Sequence, residues 1–255
     1  MTTGFTKIFS ALALVSLLIG CKDDKKTEAG KNATLTVAVS ADYPPFEYYK
    51  DGKIVGFEID LMNAIGKELK RDVTFQDLPF ESILGALQSK RVDLSISCLS
   101  ATPERAKVVD FSVHYNTSKT VLITDDVSIK SMNDLKGKTV GVQLGSTNEI
   151  CLKEWLPKVA GMKMQSLSKV PDLIQNLKVK RIVGIVLGET EAYAVMNEVK
   201  GLQMIDIPNT EFSSAIAFPK GSALVASVNQ AIQKMQTDGS LKALQDKWLR
   251  GKVNA

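Results

Sequence analysis

The residues best suited to binding chemistry lie in one stretch, Asp93–Arg105, D-L-S-I-S-C-L-S-A-T-P-E-R. It opens as a short strand, with Leu94 and Ile96 on one side and polar neighbours between them. It then passes through Ser97, Cys98 and Ser100 and restarts as a helix, for which Thr102 is a good N-cap and Pro103 a good first residue. Arg105 therefore falls near the third helical position, where the helix dipole disfavours a cation by roughly 0.3–1 kcal/mol. A guanidinium placed among helix-start amides and a serine makes sense if an anion sits there, and a carboxylate matches its fork best. The alternatives are a solvated surface arginine or a structural salt bridge, and this stretch alone does not separate them.

Three more polar clusters fall where strands are expected to end: Ser40-Ala41-Asp42-Tyr43, Gly145-Ser146-Thr147 and Gly188-Glu189. In open α/β sheets ligands bind outside the carboxyl ends of the strands. Two clusters come from each half of the chain, so a cleft between halves would gather all four. Arg105 and two helix starts supply positive character, Glu189 supplies a negative group, and Tyr43 and Phe80 supply flat apolar walls. Such a cleft suits a zwitterion whose side chain is sandwiched by aromatics, that is, an amino acid.

The elements that must position these residues follow from periodicity. Leu35–Val39 alternates as a strand, Tyr43-Pro44-Pro45-Phe46 forces a loop, and Asp51-Gly52 signals a turn between short strands. Leu61, Ile65 and Leu69 recur every four residues in a helix beginning near Asp60. A strand at Val73–Phe75 and a helix with Ile83, Leu84 and Leu87 inward complete a β-α-β-α-β pattern, the mark of a mostly parallel sheet. The segment from Ile83 to Ile96 lines up with that from Leu173 to Val186, Lys90-Arg91 meeting Lys180-Arg181, which predicts related helix–strand units in the two halves. Further strands are expected at Thr139–Val142 and Ile182–Leu187, and helices near Glu149, at Leu224–Met235 and at Ser240–Trp248.

The chain has 255 residues, 44% hydrophobic and 24% charged, enough for one large domain or two lobes. A net charge of +4 with no basic block argues against nucleic acid as a partner. A single histidine and no CxxC pattern give no basis for a metal site, and no cofactor is expected. Gly137-Lys138-Thr139 lacks the glycine a phosphate-binding loop needs at position 132, where Met132 stands, and it enters a strand. At the N-terminus Lys7 precedes the apolar run Ile8–Ile19, too short to span a bilayer core of about 30 Å but suited to a signal peptide. The ending Leu18-Ile19-Gly20-Cys21 is similar to a bacterial lipobox, which implies lipid attachment at Cys21 and a solvated tether after it. Cys98 and Cys151 remain; an exported protein permits one disulfide, but their spacing does not argue for pairing, and free, partly buried thiols are expected.

Taken in order, Y43-P-P-F-E, G56-F-E-I-D-L, A86-L-Q-S-K-R-V-D, S100-A-T-P-E-R, D110-F-S, L135-K-G-K-T-V-G-V, L144-G-S-T-N-E and D238-G-S-L with Lys247-Trp248 resemble the bacterial amino-acid-binding proteins of ABC importers, extracellular solute-binding family 3. The likeness runs from Leu35 to Trp248. It implies the α/β, two-lobed periplasmic-binding-protein fold (type II), each lobe a mostly parallel sheet flanked by helices, joined by two hinge strands near Asn116–Thr120 and Ser213–Ala215. It implies these segments: a lipoprotein signal peptide at 1–20, a tether at 21–33, lobe one at 34–117 and 215–255, and lobe two at 118–214. Arg105 would take the ligand carboxylate with amides of Ser100 and Thr147. Ser100, the Cys98 carbonyl and an acid of lobe two would take the ammonium, and Tyr43 and Phe80 would sandwich the side chain near Ser97.

Relatives for basic amino acids often carry an acid where Ser40 stands, which counts against arginine or lysine as the ligand. The lobe-two acid aligns on Gly188 without a gap and on Glu189 with a one-residue shift, and Glu189 is taken here. Asp42, Glu47 and Glu58 keep the lobe-one side acidic, which favours a basic ligand such as arginine over glutamine or another polar amino acid. The implied protein is a monomer, exported and lipid-anchored in the periplasm or at the cell surface, that delivers its ligand to a membrane permease. A cyclohexadienyl dehydratase on the same fold is the alternative from another class. A sensory module ranks last, as the reading that asks for a signalling segment beyond Trp248.

Overall fold

The computed structural model describes residues 34–249. The expected signal peptide, the tether and Cys21 lie outside the described residues. In chain order, β1 (Leu35–Val39) leads to a small antiparallel sheet of β2 (Asp42–Tyr43), β3 (Glu47–Lys50) and β4 (Lys53–Val55). Helix α1 (Phe57–Glu68), strand β5 (Val73–Asp77), a 3₁₀ turn at Phe80–Ser82, helix α2 (Ile83–Gln88) and the two-residue β6 (Leu94–Ser95) follow. Helix α3 (Pro103–Ala106) opens into the long β7 (Val109–Thr124). Beyond it run β8 (Thr139–Gln143), α4 (Thr147–Trp155), β9 (Lys163–Leu167), α5 (Val170–Lys178), β10 (Gly184–Gly188) and α6 (Glu189–Glu198). The long β11 (Gln203–Pro219) and helices α7 (Leu224–Thr237) and α8 (Ser240–Trp248) close the chain.

The main sheet has eight strands in the order β5-β1-β6-β11-β7-β10-β8-β9. On one side β1 pairs in parallel with β5 and β6; on the other β8 pairs in parallel with β9 and β10. The antiparallel ribbon β7–β11 joins the two sides, its register breaking between Asp206 and Glu211 and again near Ala215. Asn116–Thr120 and Ser213–Ala215, the expected crossing segments, pair within this ribbon.

The strands that need no water on either face are the apolar ones. In β1, Leu35, Val37, Ala38 and Val39 are fully buried, and all five residues of β10 are buried. Phe57, Leu61 and Ile65 of α1 pack into the same core as Val37 and Val39, each such side chain contributing roughly 1.5–3 kcal/mol when buried. A second cluster, Leu122, Leu135, Val140, Val142, Leu152 and Val186 among others, fills the far side of the sheet. The two expected repeat units turn alike: Lys90 and Lys180 both adopt a left-handed conformation, φ 54° and 59°. Arg91 N donates to Ala86 O and Arg181 N to Asn176 O, both at 3.0 Å.

Helix limits move by a few residues from the sequence expectation. Helix α1 begins at Phe57, three residues before Asp60, and α4 begins at Thr147 because Ser146 caps it, accepting from Glu149 N at 3.1 Å. Cys98 and Cys151 are both free and half-buried. Among the described residues no helix is long and apolar enough to cross a membrane.

Candidate functional site

Four strand ends, those of β1, β6, β8 and β10, point into one cleft. A tight cavity of only about 20 Å³ there is lined by Ser40, Asp42, Tyr43, Phe80, Ser97 and Cys98 from one side, and by Gln143, Thr147, Asn148 and Phe212 from the other. Glu47 and Ser146 complete the wall.

Arg105 stands at the seam of the two sides. Thr102 caps α3, its hydroxyl accepting from Arg105 N at 3.2 Å, as the sequence leads one to expect. The guanidinium is not on the surface: the residue is 7% exposed. One nitrogen donates to Ser100 O at 2.9 Å, the other to Gly145 O across the cleft at 3.0 Å, and the group lies 5.7 Å from the Phe80 ring centroid. Among the described residues no carboxylate forms an ion pair with it. Burial without a counter-charge lowers its pKa to about 10. The Ser100 hydroxyl beside it is buried and has no partner. Thr147 opens α4, where helix geometry leaves the first amides without intrahelical acceptors. The Gly145 amide is tied instead to Glu149 Oε2 at 2.9 Å.

Arg105 and Ser100 lie beside this cavity rather than in its wall, whose charged groups are the acids Asp42 and Glu47. Asp42, on β2, accepts from Ser40 Oγ at 3.1 Å and from Val170 N across the cleft at 3.1 Å. The latter bond serves the first turn of α5, whose own N-cap, Lys169, offers no side-chain acceptor. Burial raises Asp42 to about 6 against the bonds from Val170 and Ser40. Ser97 Oγ donates to Glu47 Oε1 at 2.7 Å and accepts from Ser40 N at 3.0 Å. Burial, with Glu58 next to it, pushes Glu47 well up.

Glu58, expected at the ligand, lies behind the wall. It accepts from Cys98 N at 2.9 Å and from the Tyr115 hydroxyl, and so holds Cys98 in its left-handed turn, φ 46°. Donor atoms of Glu47, Glu58 and Cys98 lie within 4.8 Å of one another, a spacing that could hold a metal ion. Burial holds the Glu47 carboxyl and the Cys98 thiol well above their usual ranges, and protonated groups are poor metal ligands.

Tyr43 and Phe80 are both in the wall, as expected, and the Tyr43 hydroxyl accepts from Gly188 N at 3.2 Å. Glu189 is not. It begins α6 pointing away from the cavity and pairs with Lys119 at 3.2 Å. The acid that the second side brings to this region is Glu191, 2% exposed, with Oε1 4.0 Å from Cys98 Sγ. Sequence reasoning also passed over Gln143, Asn148 and Phe212. Asn148 is buried and accepts from Thr120 Oγ1 at 2.9 Å.

A hinged pair of parallel half-sheets with a polar cleft at the strand ends defines a ligand-binding clamp. The chain belongs to the bacterial extracellular solute-binding proteins, family 3, whose model matches residues 35–251. It is similar to the arginine-binding extracellular protein ArtP of Bacillus subtilis, 39% identical over 246 residues, covering 94% of this chain and 96% of the relative. Among solved structures it resembles an ancestral arginine-binding protein bound to arginine (TM-score 0.81, 36% identity, 86% of this chain and 99% of that one). The same kind of ancestral protein bound to glutamine matches with TM-score 0.81, 35% identity and 88% and 100% coverage. The fold is that of the type II periplasmic binding proteins, and the chain is a solute-binding protein rather than an enzyme.

Proposed function

We propose that this protein captures a free amino acid with a basic side chain, arginine foremost, and hands it to the membrane permease of an ABC importer. The observation that carries the reading is Arg105: a buried guanidinium that meets only carbonyl oxygens, one from each side of the cleft. A desolvated cation of that kind gains most from an anion, and a ligand carboxylate would meet it beside the free Ser100 hydroxyl and the first amides of α4. Asp42, ionised above about pH 6, gives the cavity the negative charge a cationic side chain requires. The names of the similar proteins point the same way.

In this reading residues 34–117 and 215–255 form one lobe and 118–214 the other, and the β7–β11 ribbon is the hinge. One lobe holds the ligand through Arg105, Ser97 and Tyr43; closure then brings the loop Gly145–Asn148 over it. Closing strips water from every charge, so each must find a partner, and ligands without a carboxylate or an ammonium are rejected. The chain acts as an exported monomer, held to a membrane by lipid at Cys21. Glutamine is the second reading, because a similar protein is described as bound to it and because Gln143, Asn148 and Ser40 offer neutral polar contacts. A thermal-shift screen of the twenty amino acids with ornithine and cystine tests the proposal. L-Arginine should give the largest rise in melting temperature. No shift with any amino acid would overturn it.

A further inference from the structure

Helix α5 (Val170–Lys178) is poorly equipped to start on its own. Its cap position holds Lys169, which has no acceptor and sets a positive charge at the positive end of the helix dipole. A side chain distant in sequence stands in for the cap. Asp42 Oδ2, on β2 of the other lobe, accepts from Val170 N, the first amide of the helix, at 3.1 Å. Lys169 also attracts the Asp42 carboxylate, whereas Asp77 of β5 and Glu47 of β3, on its own lobe, repel it.

A second bond between the lobes lies beside the first. Ser168 Oγ, two residues before the helix, donates to Glu81 Oε1 at 2.6 Å. Glu81 belongs to the 3₁₀ turn Phe80–Ser82, the same turn that brings Phe80 to the cavity wall. Gln143 of β8 ties the two bonds together. Its buried side-chain amide donates to Ser168 O at 3.4 Å and to Asp42 Oδ1 at 3.5 Å. The turn after β8 comes equally near: Gly145 has φ 76°, and a Cβ on it would lie 3.3 Å from both Cα and Cβ of Glu81. Glu81 and Ser168 themselves stand outside the cavity wall.

We propose that the start of α5 is the closure latch of the clamp: Asp42 caps the helix from the opposite lobe, and Glu81 holds Ser168 just ahead of it. The inference rests on the reading of capture by hinge closure. It makes Glu81 and Ser168 positioning residues, which act on the ligand by stabilising the shut form rather than by touching it. With the lobes apart, water replaces Asp42 at Val170 N and Glu81 at Ser168, so the gain belongs to the shut form alone. A ligand held in that form is then bound more tightly by the factor through which the latch favours it. Because the bonds form after the ligand has entered, the latch slows release more than it speeds arrival.

The test is calorimetry on wild type, Glu81→Ala, Ser168→Ala, the double variant and Glu81→Gln, with melting curves to establish folding. The titrant is whichever of L-arginine and L-glutamine stabilises the wild type. Glu81→Ala and Ser168→Ala should each bind roughly fivefold more weakly, the scale of one hydrogen bond to a charged group. The double variant should be no weaker than the weaker single one, since both remove the same bond. Glu81→Gln keeps an acceptor for the serine and should recover most of the loss. Asp42→Asn, which keeps a capping oxygen, should bind at least about fivefold more tightly than Asp42→Ala. Glu81 and Ser168 variants that match the wild type, or an Asn variant no better than Ala at position 42, overturn the latch and leave the amino-acid reading standing. A wild type that binds neither titrant overturns that reading, and the latch with it.

Discussion

Arg105 and the acids opposite it carry charge into a place where water is scarce, and pH reads that directly. Asp42 at about 6, Glu191 at about 8 and the still more deeply held Glu47 all bind protons more tightly in the folded protein than in the unfolded chain. A carboxyl raised in this way makes the native state less stable as pH climbs through the interval between its two pKa values. Asp110, Asp126 and Asp134 shift the other way, so what they contribute is lost only in more acidic solution. The ligand-free protein should therefore melt several degrees higher at pH 5 than at pH 8, and Glu191→Gln should flatten that slope. A melting temperature that rises from pH 5 to pH 8 would contradict the assignment. Arg105, Ser100, Tyr43 and Phe80 were legible in the sequence because a cap, a proline and flat side chains fix their positions locally. Glu191 was not. Its carboxylate occupies the space Gly188 leaves open, a relation that linear spacing does not express.

The elements were easier to read than their ends. Strand β1, helices α7 and α8 and the turn after Lys50 follow from periodicity and turn chemistry, and the matching left-handed turns at Lys90 and Lys180 bear out the internal likeness. The sequence reading did not single out β9, whose residues are mostly half-buried and carry no strong alternation, and β6 is only two residues long. Helix α1 starts early because Gly56, at φ 137°, lets the chain pass close under the Pro45–Phe46 backbone before Phe57 N donates to Pro45 O at 3.0 Å. A Cβ at Gly56 would overlap the Phe46 carbonyl, so Gly56→Ala should lower stability by about 1–3 kcal/mol or more in urea unfolding. Gly52, also at positive φ but with nothing within 4 Å, provides the contrast: Gly52→Ala should cost about 1–2 kcal/mol at most. Equal losses at the two positions would show that the close approach at Gly56 is not what sets the helix start.

At the scale of the whole molecule, the two sides of the sheet touch through a small set of polar bonds. Among the described residues these include Arg105 to Gly145 O, Val170 N to Asp42, Gly188 N to Tyr43, Ser168 Oγ to Glu81 at 2.6 Å, Gln143 Nε2 to Asp42 at 3.5 Å and Cys98 Sγ to Glu191 at 4.0 Å. Such contacts are few enough for the β7–β11 ribbon to act as a hinge. On the proposed reading, the radius of gyration in solution scattering should fall when L-arginine is added, and an unchanged radius would argue against closure. The parallel half-sheets were foreseen from the alternation of strands and helices, but their union into one eight-stranded sheet depends on the length of β7 and β11, which polar residues near Asn116 and Glu211 obscure in the sequence.

The most direct test is a calorimetric titration of L-arginine into wild type and Arg105→Ala, with melting curves to establish that both are folded. Saturable binding to the wild type and a loss of at least about a hundredfold in the variant are expected. Equal affinity in the two proteins would mean that the ligand's carboxylate is held elsewhere, and the cleft as described here would not be the binding site.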